Sequence, residues 1–299
     1  MNVTFRQLRL FLALAELGSI TATARASHVT QPTVSMQLRE LAASVGLPLY
    51  EVIGKRLHLT QAGEELATTA RAMLGEWTDF GQRIDALKGL GRGRLRLAVV
   101  STAKYFIPRI LGSFCSSHPE VDIALEVLNR DGVVQRLRAN QDDLYIMSMP
   151  PADVEIEKQV FLSNPLVLVA PLGHPLAEQQ NIPLNRLEKE RFILREQGSG
   201  TRLACDAHFA SHGFKPIVRL ALGSNEAIKQ SVAGGLGLAV LSTHSLGGHL
   251  ADDSLTLLDV AGFPLPSHWF TVHLKGKRLS PTAQAFLLHL AGAPGASNP

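Results

Sequence analysis

The sequence predicts a three-part α/β protein: a small helical region closed by a two-stranded hairpin, one long helix, and a larger region of alternating strands and helices. Apolar residues recur at helical spacing over residues 5–45 and again over residues 60–87. Three glycines at Gly89, Gly91 and Gly93 then mark a boundary. Beyond Arg94, short apolar runs alternate with helical patterns, which is typical of an α/β fold.

Composition limits the class of protein. A chain of 299 residues suggests two or three domains of about 100–200 residues each. Its 45% hydrophobic and 18% charged content is that of a globular protein. No run of roughly 18 apolar residues and no signal-peptide pattern occur, so we expect a cytoplasmic protein without a membrane span. Cys115 and Cys205 lack metal-type spacing and are expected to be reduced thiols.

The first 45 residues predict three helices. The first runs from Phe5 to about Gly18, and the second covers residues 20–26 after a cap at Ser19 or Thr21. A four-residue turn leads to a third helix, capped by Thr30 or Gln31, with Pro32 in its first turn. A short helix, a tight turn and a helix with a polar outer face form a helix-turn-helix.

The third helix carries groups that suit nucleic acid. One face is an apolar stripe of Val34, Leu38, Leu41 and Val45, and the other carries side chains that can reach base edges and phosphates. Residues 49–53 and 57–59 then predict a two-stranded wing. Residues 1–60 hold six basic and three acidic residues, a formal +3 that equals the excess of the whole chain. We expect duplex DNA as the partner, with Gln31, Pro32, Thr33, Ser35, Gln37 and Arg39 in the major groove and Lys55 and Arg56 on the flanking backbone or minor groove. The alternative is an ordinary three-helix domain, which also has one polar helix face.

The long helix predicts self-association. Its stripe comprises Leu66, Ala70, Met73, Trp77, Phe80, Ile84 and Leu87. A helix of about 30 residues spans about 45 Å, more than a small domain covers, so a second copy is the expected partner. The alternative is a helix packed within one chain. The predicted domains are therefore 1–60 (winged helix-turn-helix), 61–90 (linker and dimerisation helix) and 91–299.

The third region predicts two lobes with parallel sheets. Lobe I covers about 91–160 and 267–299, and lobe II about 161–266. Strands are expected at 95–100, 121–127, 144–147, 166–170, 192–194, 217–222, 236–241 and 269–274, with helices at 107–117, 133–139, 201–212, 225–233 and 281–290.

A small molecule is expected at the carboxyl ends of these strands, where open sheets bind ligands. The segment from Arg195 to Arg202 is the most suggestive, because glycines and hydroxyls between two arginines form a plausible nest for phosphate or carboxylate. The alternative is simple helix capping, and no P-loop is present. The expected effector-binding residues are Ser101, Thr102, Lys104, Met149, Pro150, Arg195, Gly198, Ser199, Gly200, Thr201, Arg202, Ser224 and Asn225.

Nothing in the sequence predicts an enzyme. His208 and His212 are four residues apart, but a third metal ligand is lacking. No GxSxG elbow occurs, and Cys205 has no evident histidine partner. Asp142 and Asp143 precede a strand and fit a structural turn. We therefore expect no catalytic residue, no metal and no cofactor.

The order of these motifs, from FRQLRLFLALAELGS at residue 5 to GKRLHLTQAGEEL at residues 54–66, resembles the LysR-type bacterial transcriptional regulators. The resemblance implies a periplasmic-binding-protein-like effector domain, a homotetramer built from two dimers, and RNA polymerase as a candidate partner. Residues 101–108, 129–137, 140–147 and 150–151 resemble the branch that regulates Calvin-cycle (RuBisCO) operons. That branch implies phosphorylated sugars, related metabolites or NADPH as effectors. The alternatives are a LysR-type regulator of another pathway, or a small-molecule binding protein or transferase whose first 60 residues serve assembly.

Overall fold

The computed structural model describes residues 2–53, 56–87, 93–247, 250 and 254–292, without the side chains of residues 56, 82 and 85–87. The chain divides into two compact units, one of Met1–Ile84 with Ala139–Gln141 and the other of Asp85–Arg138 with Asp142–Pro299. No helix within the described ranges combines the length and the apolar character needed to span a bilayer.

The first unit is a three-helix core with a hairpin and a long helix. The core is formed by the first three helices together with Leu49 and the start of the long helix. The two strands of the hairpin are antiparallel, and Tyr50 pairs with Leu59. The predicted wing tip at Gly54 and Lys55 lies outside the described residues. The elements are α1 (Phe5–Leu17), α2 (Ile20–Ala26), α3 (Gln31–Val45), β1 (Tyr50–Ile53), β2 (Arg56–Leu59) and α4 (Gln61–Leu87).

Hydroxyl caps start all three helices of this core. Thr4 forms a capping box with Gln7, Ser19 caps α2 and Thr30 caps α3. Each side-chain oxygen accepts a backbone N–H that has no partner within the helix. Of the alternatives that the sequence left open, Ser19 and Thr30 are therefore the caps.

The second unit has two lobes, each with its own core. The elements are β3 (Gly93–Val100), α5 (Ile107–Ser117), β4 (Val121–Leu128), α6 (Arg130–Arg138), β5 (Leu144–Met147), β6 (Ile156–Ser163), β7 (Leu166–Pro171), β8 (Arg191–Arg195), α7 (Gly200–Ser211), β9 (Ile217–Leu222), α8 (Asn225–Ala233), β10 (Ala239–Ser242), β11 (Leu255–Leu257), β12 (His268–Leu274) and α9 (Pro281–Ala291). Lobe I has a five-stranded sheet in the order β4-β3-β5-β12-β6, and lobe II has a β10-β7-β11 sheet and a β8-β9 pair. The chain crosses between the lobes after Ser163 and before His268, where β6 ends and β12 begins.

The α/β fold with a helix-turn-helix and two lobes agrees with the prediction, but the expectation of parallel sheets throughout is wrong. In lobe I, β3 pairs in parallel with β4 and β5, whereas β12 is antiparallel to β5 and β6. In lobe II, β7 is antiparallel to both of its neighbours. The strand that crosses into a lobe and the strand that returns run against the local direction, and an apolar run alone does not encode direction.

Candidate functional site

The outward face of α3 is a continuous surface. Val34, Leu38 and Leu41 are buried, and the side opposite to them exposes Pro32, Met36 and Arg39. Met36 is 49% exposed. Met36 was not among the expected DNA-contacting residues because methionine is not a polar donor, although its spacing from Pro32 and Arg39 places all three on one face.

Two of the expected DNA-contacting side chains have partners within the first unit. Gln37 donates from Nε2 to Glu40 Oε2 at 2.9 Å, and the Thr33 hydroxyl lies 2.9 Å from the Thr30 hydroxyl. Gln31, Ser35 and Arg39 lie on the exposed or half-exposed side of α3. Lys55 and the side chain of Arg56 lie outside the described residues.

The second half of α4 exposes an aromatic surface. The ring of Trp77 lies 5.3 Å from that of Phe5 and 5.7 Å from that of Phe80, measured between centroids. Trp77 is 53% exposed and Phe80 46%, and Met73 is similarly open. Ala70, earlier on the same stripe, is fully buried. The stripe is therefore covered by its own unit near its start and uncovered further along.

A cavity with about 290 Å³ of empty space, part of it open to solvent, lies between the two lobes of the second unit. It sits at the carboxyl ends of β3 and β5 and at the start of α7, which is where open α/β sheets bind ligands. Its lining comprises Val100, Ser101, Thr102, Arg130, Ser148, Met149, Arg195, Ser199, Gly200, Thr201 and Trp269.

Arg195 joins the two lobes beside this cavity. Arg195 is only 4% exposed, and its guanidinium donates to the hydroxyls of Ser101 and Thr102 on lobe I at 3.1 and 3.3 Å. It also donates to Asn225 Oδ1 at 2.9 Å and to both carboxylate oxygens of Glu196. Because Glu196 offsets its charge, Arg195 holds the lobes together without leaving a bare buried cation.

The start of α7 faces lobe I at close range. Ser199 caps the helix by accepting the backbone N–H of Arg202 at 3.2 Å. A Cβ on Gly198 would lie 2.1 Å from Asp131 Oδ2, and one on Gly200 would lie 3.1 Å from Ser148 Oγ. Glycine is therefore required for this approach, which brings the amides of the first turn of α7, where helices favour anions, to the cavity wall.

Arg130 provides a cation from lobe I. It donates from Nε to the carbonyl of Met149 at 2.6 Å, and Asp131 lies 3.5 Å from its Nη1. The backbone contact fixes the side chain at the cavity wall, which the start of α7 also lines. Arg130 and α7 together suit an anion.

Glu226, at the start of α8, links the lobes outside the cavity lining. It accepts from Lys104 Nζ at 3.0 Å and from the hydroxyl of Tyr105, both on lobe I. Burial opposes ionisation of Glu226, but these hydrogen bonds outweigh it and lower the pKa to about 2. The carboxylate is therefore charged at neutral pH.

The structure brings seven of the thirteen expected effector residues to the cavity: Ser101, Thr102, Met149, Arg195, Ser199, Gly200 and Thr201. Asn225 and Gly198 support that lining, and Arg202 pairs with Asp206 at 2.8 Å. Lys104, Pro150 and Ser224 also lie outside the lining, with Lys104 paired to Glu226. Val100, Arg130, Ser148 and Trp269 were not among the expected residues. Val100 and Ser148 adjoin the expected Ser101 and Met149, whereas Arg130 and Trp269 reach the cavity through the folding of distant segments.

The carboxylates and histidines considered as catalytic or metal-binding groups have structural contacts. Asp142 and Asp143 pair with Arg136 and Arg96, respectively, at 2.7 Å. His208 and His212 pack with ring centroids 4.3 Å apart. Within the described ranges, no group of three or more potential metal-binding side chains occurs.

Comparison with known proteins decides the family. Residues 5–64 match the family described as "Bacterial regulatory helix-turn-helix protein, lysR family". Residues 88–294, more than half of the chain, match the family "LysR substrate binding domain". The chain belongs to the LysR family. The resemblance stated from the sequence is thereby confirmed.

Two relatives that match nearly the whole chain are named as transcriptional regulators. The chain is 47% identical over 300 residues to a "RuBisCO operon transcriptional regulator" of Acidithiobacillus ferrooxidans, covering 100% of this chain and 97% of the relative. It is 43% identical to the "HTH-type transcriptional activator CmpR" of Synechocystis, covering 97% and 95%. These relatives are regulators, which agrees with the expectation that the chain is not an enzyme.

Solved LysR-family structures resemble the chain in fold. The Synechocystis CcmR regulatory domain in complex with 2-PG is 50% identical, with a TM-score of 0.65, and the match covers 67% of this chain and 96% of that one. Full-length OxyR from Pseudomonas aeruginosa is 20% identical, with a TM-score of 0.74, over 99% and 97% of the two chains. The OxyR match shows the shared fold alone.

Proposed function

We propose that this LysR-family regulator controls carbon-fixation genes, binds operator DNA through α3 and the wing, and senses a small phosphorylated acid between its lobes. The observation that carries the proposal is the cavity in which Arg130 and the start of α7 face each other. Its chemistry suits an anion, and the relatives similar over the whole chain are named as carbon-fixation regulators. A regulator that binds the bacterial chromosome acts in the cytoplasm.

The groups at the cavity wall favour a small anionic effector, because Arg130 and the first turn of α7 both suit a negative charge. The CcmR regulatory domain was solved with 2-PG. We therefore infer 2-phosphoglycolate or a close analogue as the effector.

Operator recognition is assigned to the exposed side of α3. Arg39 is the cation on this face, Met36 offers an apolar contact of the kind that thymine methyl groups accept, and Ser35 and Gln31 supply polar groups. Gln37 and Thr33 act through their internal partners or after releasing them. Lys55 and Arg56 are assigned to the flanking backbone or minor groove.

Self-association is assigned to α4. An apolar surface is formed by Trp77, Phe80 and Met73, and a second copy of the helix would cover it. Regulators of this type bind as dimers, with one DNA-binding domain on each of two half-sites. Two such dimers would form a tetramer. Effector binding would shift the lobes towards a closed population and change how the DNA-binding domains are placed on the operator. RNA polymerase is a further candidate partner.

The test is footprinting of the full-length protein upstream of neighbouring carbon-fixation genes, with and without 2-phosphoglycolate. We expect a protected operator whose extent or affinity changes with the effector. An Arg130→Ala variant should keep the basal footprint and lose the response, because Arg130 belongs to the second unit. A footprint that 2-phosphoglycolate leaves unchanged would contradict the assigned effector.

Salt dependence separates this proposal from a binding protein or transferase whose first unit serves assembly. When basic side chains neutralise DNA phosphates, counterions are released, so a protein that binds operator DNA loses affinity steeply as the salt concentration rises. The competing function predicts almost no slope, because it needs no DNA.

A further inference from the structure

Trp269 lines the cavity and carries an unused hydrogen-bond donor. The side chain is fully buried. Its Nε1–H has no acceptor among the residues that the structure describes. Nearly all buried N–H groups in folded proteins are paired, so an unpaired donor at a cavity wall points to an acceptor that a ligand brings.

Strand register explains why Trp269 reaches the cavity. β12 is antiparallel to β5, and Phe270 pairs with Met147, the last residue of β5. Trp269 therefore lies beside Ser148, which also lines the cavity. Trp269 belongs to lobe I, whereas the start of α7, which favours anions, belongs to lobe II.

Aromatic packing holds the indole in place. The Phe106 ring lies 5.1 Å from it and the His244 ring 6.3 Å. His244 Nε2 lies 2.8 Å from the carbonyl of Ser163, and the Trp269 Nε1–H makes no hydrogen bond to His244. The ring thus has a fixed orientation and a buried, unpaired donor.

We propose that Trp269 donates its Nε1–H to the carboxylate of the effector while the start of α7 and Arg130 hold the phosphate. The inference rests on the proposed function and extends it: the effector is a two-ended acid whose phosphate bridges Arg130 of lobe I and α7 of lobe II, while its carboxylate contacts lobe I. Such a ligand favours the closed arrangement because only there does the phosphate contact both lobes.

Calorimetric titration of the full-length protein tests this. The proteins are the wild type, Trp269→Phe and, as a packing control, Phe106→Leu; the probes are 2-phosphoglycolate and inorganic phosphate. Trp269→Phe removes the donor but keeps an aromatic ring, so we expect affinity for 2-phosphoglycolate to fall about tenfold, as for the loss of a hydrogen bond to a charged group. Affinity for inorganic phosphate should stay within about twofold, and Phe106→Leu should alter neither by more than about threefold.

A spectroscopic readout covers the case in which Trp269→Phe does not fold. The chain has two tryptophans, so in a Trp77→Phe background Trp269 is the only indole. The N–H-sensitive indole band in ultraviolet resonance Raman spectra should shift when 2-phosphoglycolate is added and stay in place with inorganic phosphate. If Trp269 had only a structural role, its Raman band would not shift with 2-phosphoglycolate and would not differ between the two probes.

The outcomes separate the two proposals. Wild-type binding of 2-phosphoglycolate with an unaffected Trp269→Phe variant, or with an unmoved Raman band, overturns the role of Trp269 and leaves the proposed function standing. Equal losses for both probes overturn the carboxylate assignment. A wild type that binds neither probe overturns the assigned effector itself, and the role of Trp269 with it.

Discussion

A substitution of Arg39 gives the most direct test of DNA binding by α3. It is an exposed cation on the outward face, in line with Pro32 and Met36. Arg39→Ala should weaken operator binding by roughly 1–3 kcal/mol, whether the side chain reads a base or a phosphate. Electrophoretic titration measures the change. Arg186→Ala, which removes an exposed charge from lobe II, is the matched control, and equal affinities for the two variants would remove Arg39 from the interface.

Cys205 should be chemically inert in the folded protein. Burial raises the pKa of its thiol to about 12, and the charge of Asp206 acts in the same direction. Only the thiolate is a nucleophile, so Cys205 stays protonated and unreactive at any pH well below 12. Peptide mapping after iodoacetamide treatment at pH 8 should find Cys115, which is half-buried, modified first. Modification of Cys205 before unfolding would contradict this assignment of its environment.

At the scale of elements, the start of α4 packs against the wing through a glycine. A Cβ on Gly63 would lie 2.0 Å from the carbonyl oxygen of Leu49, a backbone atom that cannot move alone. Gly63→Ala should therefore lower the free energy of unfolding by about 1–3 kcal/mol. Gly75→Ala in the same helix meets nothing within 4 Å and should raise it by up to about 1 kcal/mol. Chemical denaturation of both variants gives the comparison, and equal effects would show that the contact is unimportant.

The elements also show which features a sequence can predict. The stripe of α3 and the boundaries of most strands follow from local chemistry and were predicted, and Ser19 and Thr30 were each one of two predicted caps. The strands β6 and β11 were missed: β6 lies at a sheet edge and carries Glu157, Lys158 and Gln159 on an exposed run, so its pattern is not apolar. Strand direction in lobe II depends on long connections, which leave no local mark.

The cavity illustrates the same limit. Ser199 to Thr201 were found because glycines and hydroxyls precede a helix within one segment. Arg130 and Trp269 are almost 140 residues apart in the sequence, and neither belongs to a ligand-binding motif. An indole donor without an acceptor is a property of packing and becomes visible only in three dimensions.

At the scale of the whole second unit, Glu226 should help to hold the lobes closed. Glu226→Gln removes the charge that Lys104 and Tyr105 contact, so we expect effector affinity to fall about two- to fivefold. The effect is modest because the ion pair is about half exposed and screened by solvent. Calorimetric titration with 2-phosphoglycolate measures it.

The pH dependence of this contact has a definite sign. The folded-state pKa of Glu226 lies below the ordinary value of 4.5, so the contribution is complete above about pH 4.5 and is lost as pH falls towards 2. The affinity ratio of wild type to Glu226→Gln should therefore be constant between pH 6 and 8. A ratio that changes over this range would assign the closure to another group.

The two crossings between the lobes have a consequence for how the sensing region can be rearranged. Everything from β7 to β11 is one uninterrupted stretch of chain, whereas lobe I needs β12 between β5 and β6 to complete its sheet. A truncation that removes β12 and α9 destroys lobe I even though it spares most of the polypeptide. Conversely, residues 164–267 form a cassette with two adjacent splice points, so grafting the corresponding cassette from a relative could retune ligand preference in a single exchange.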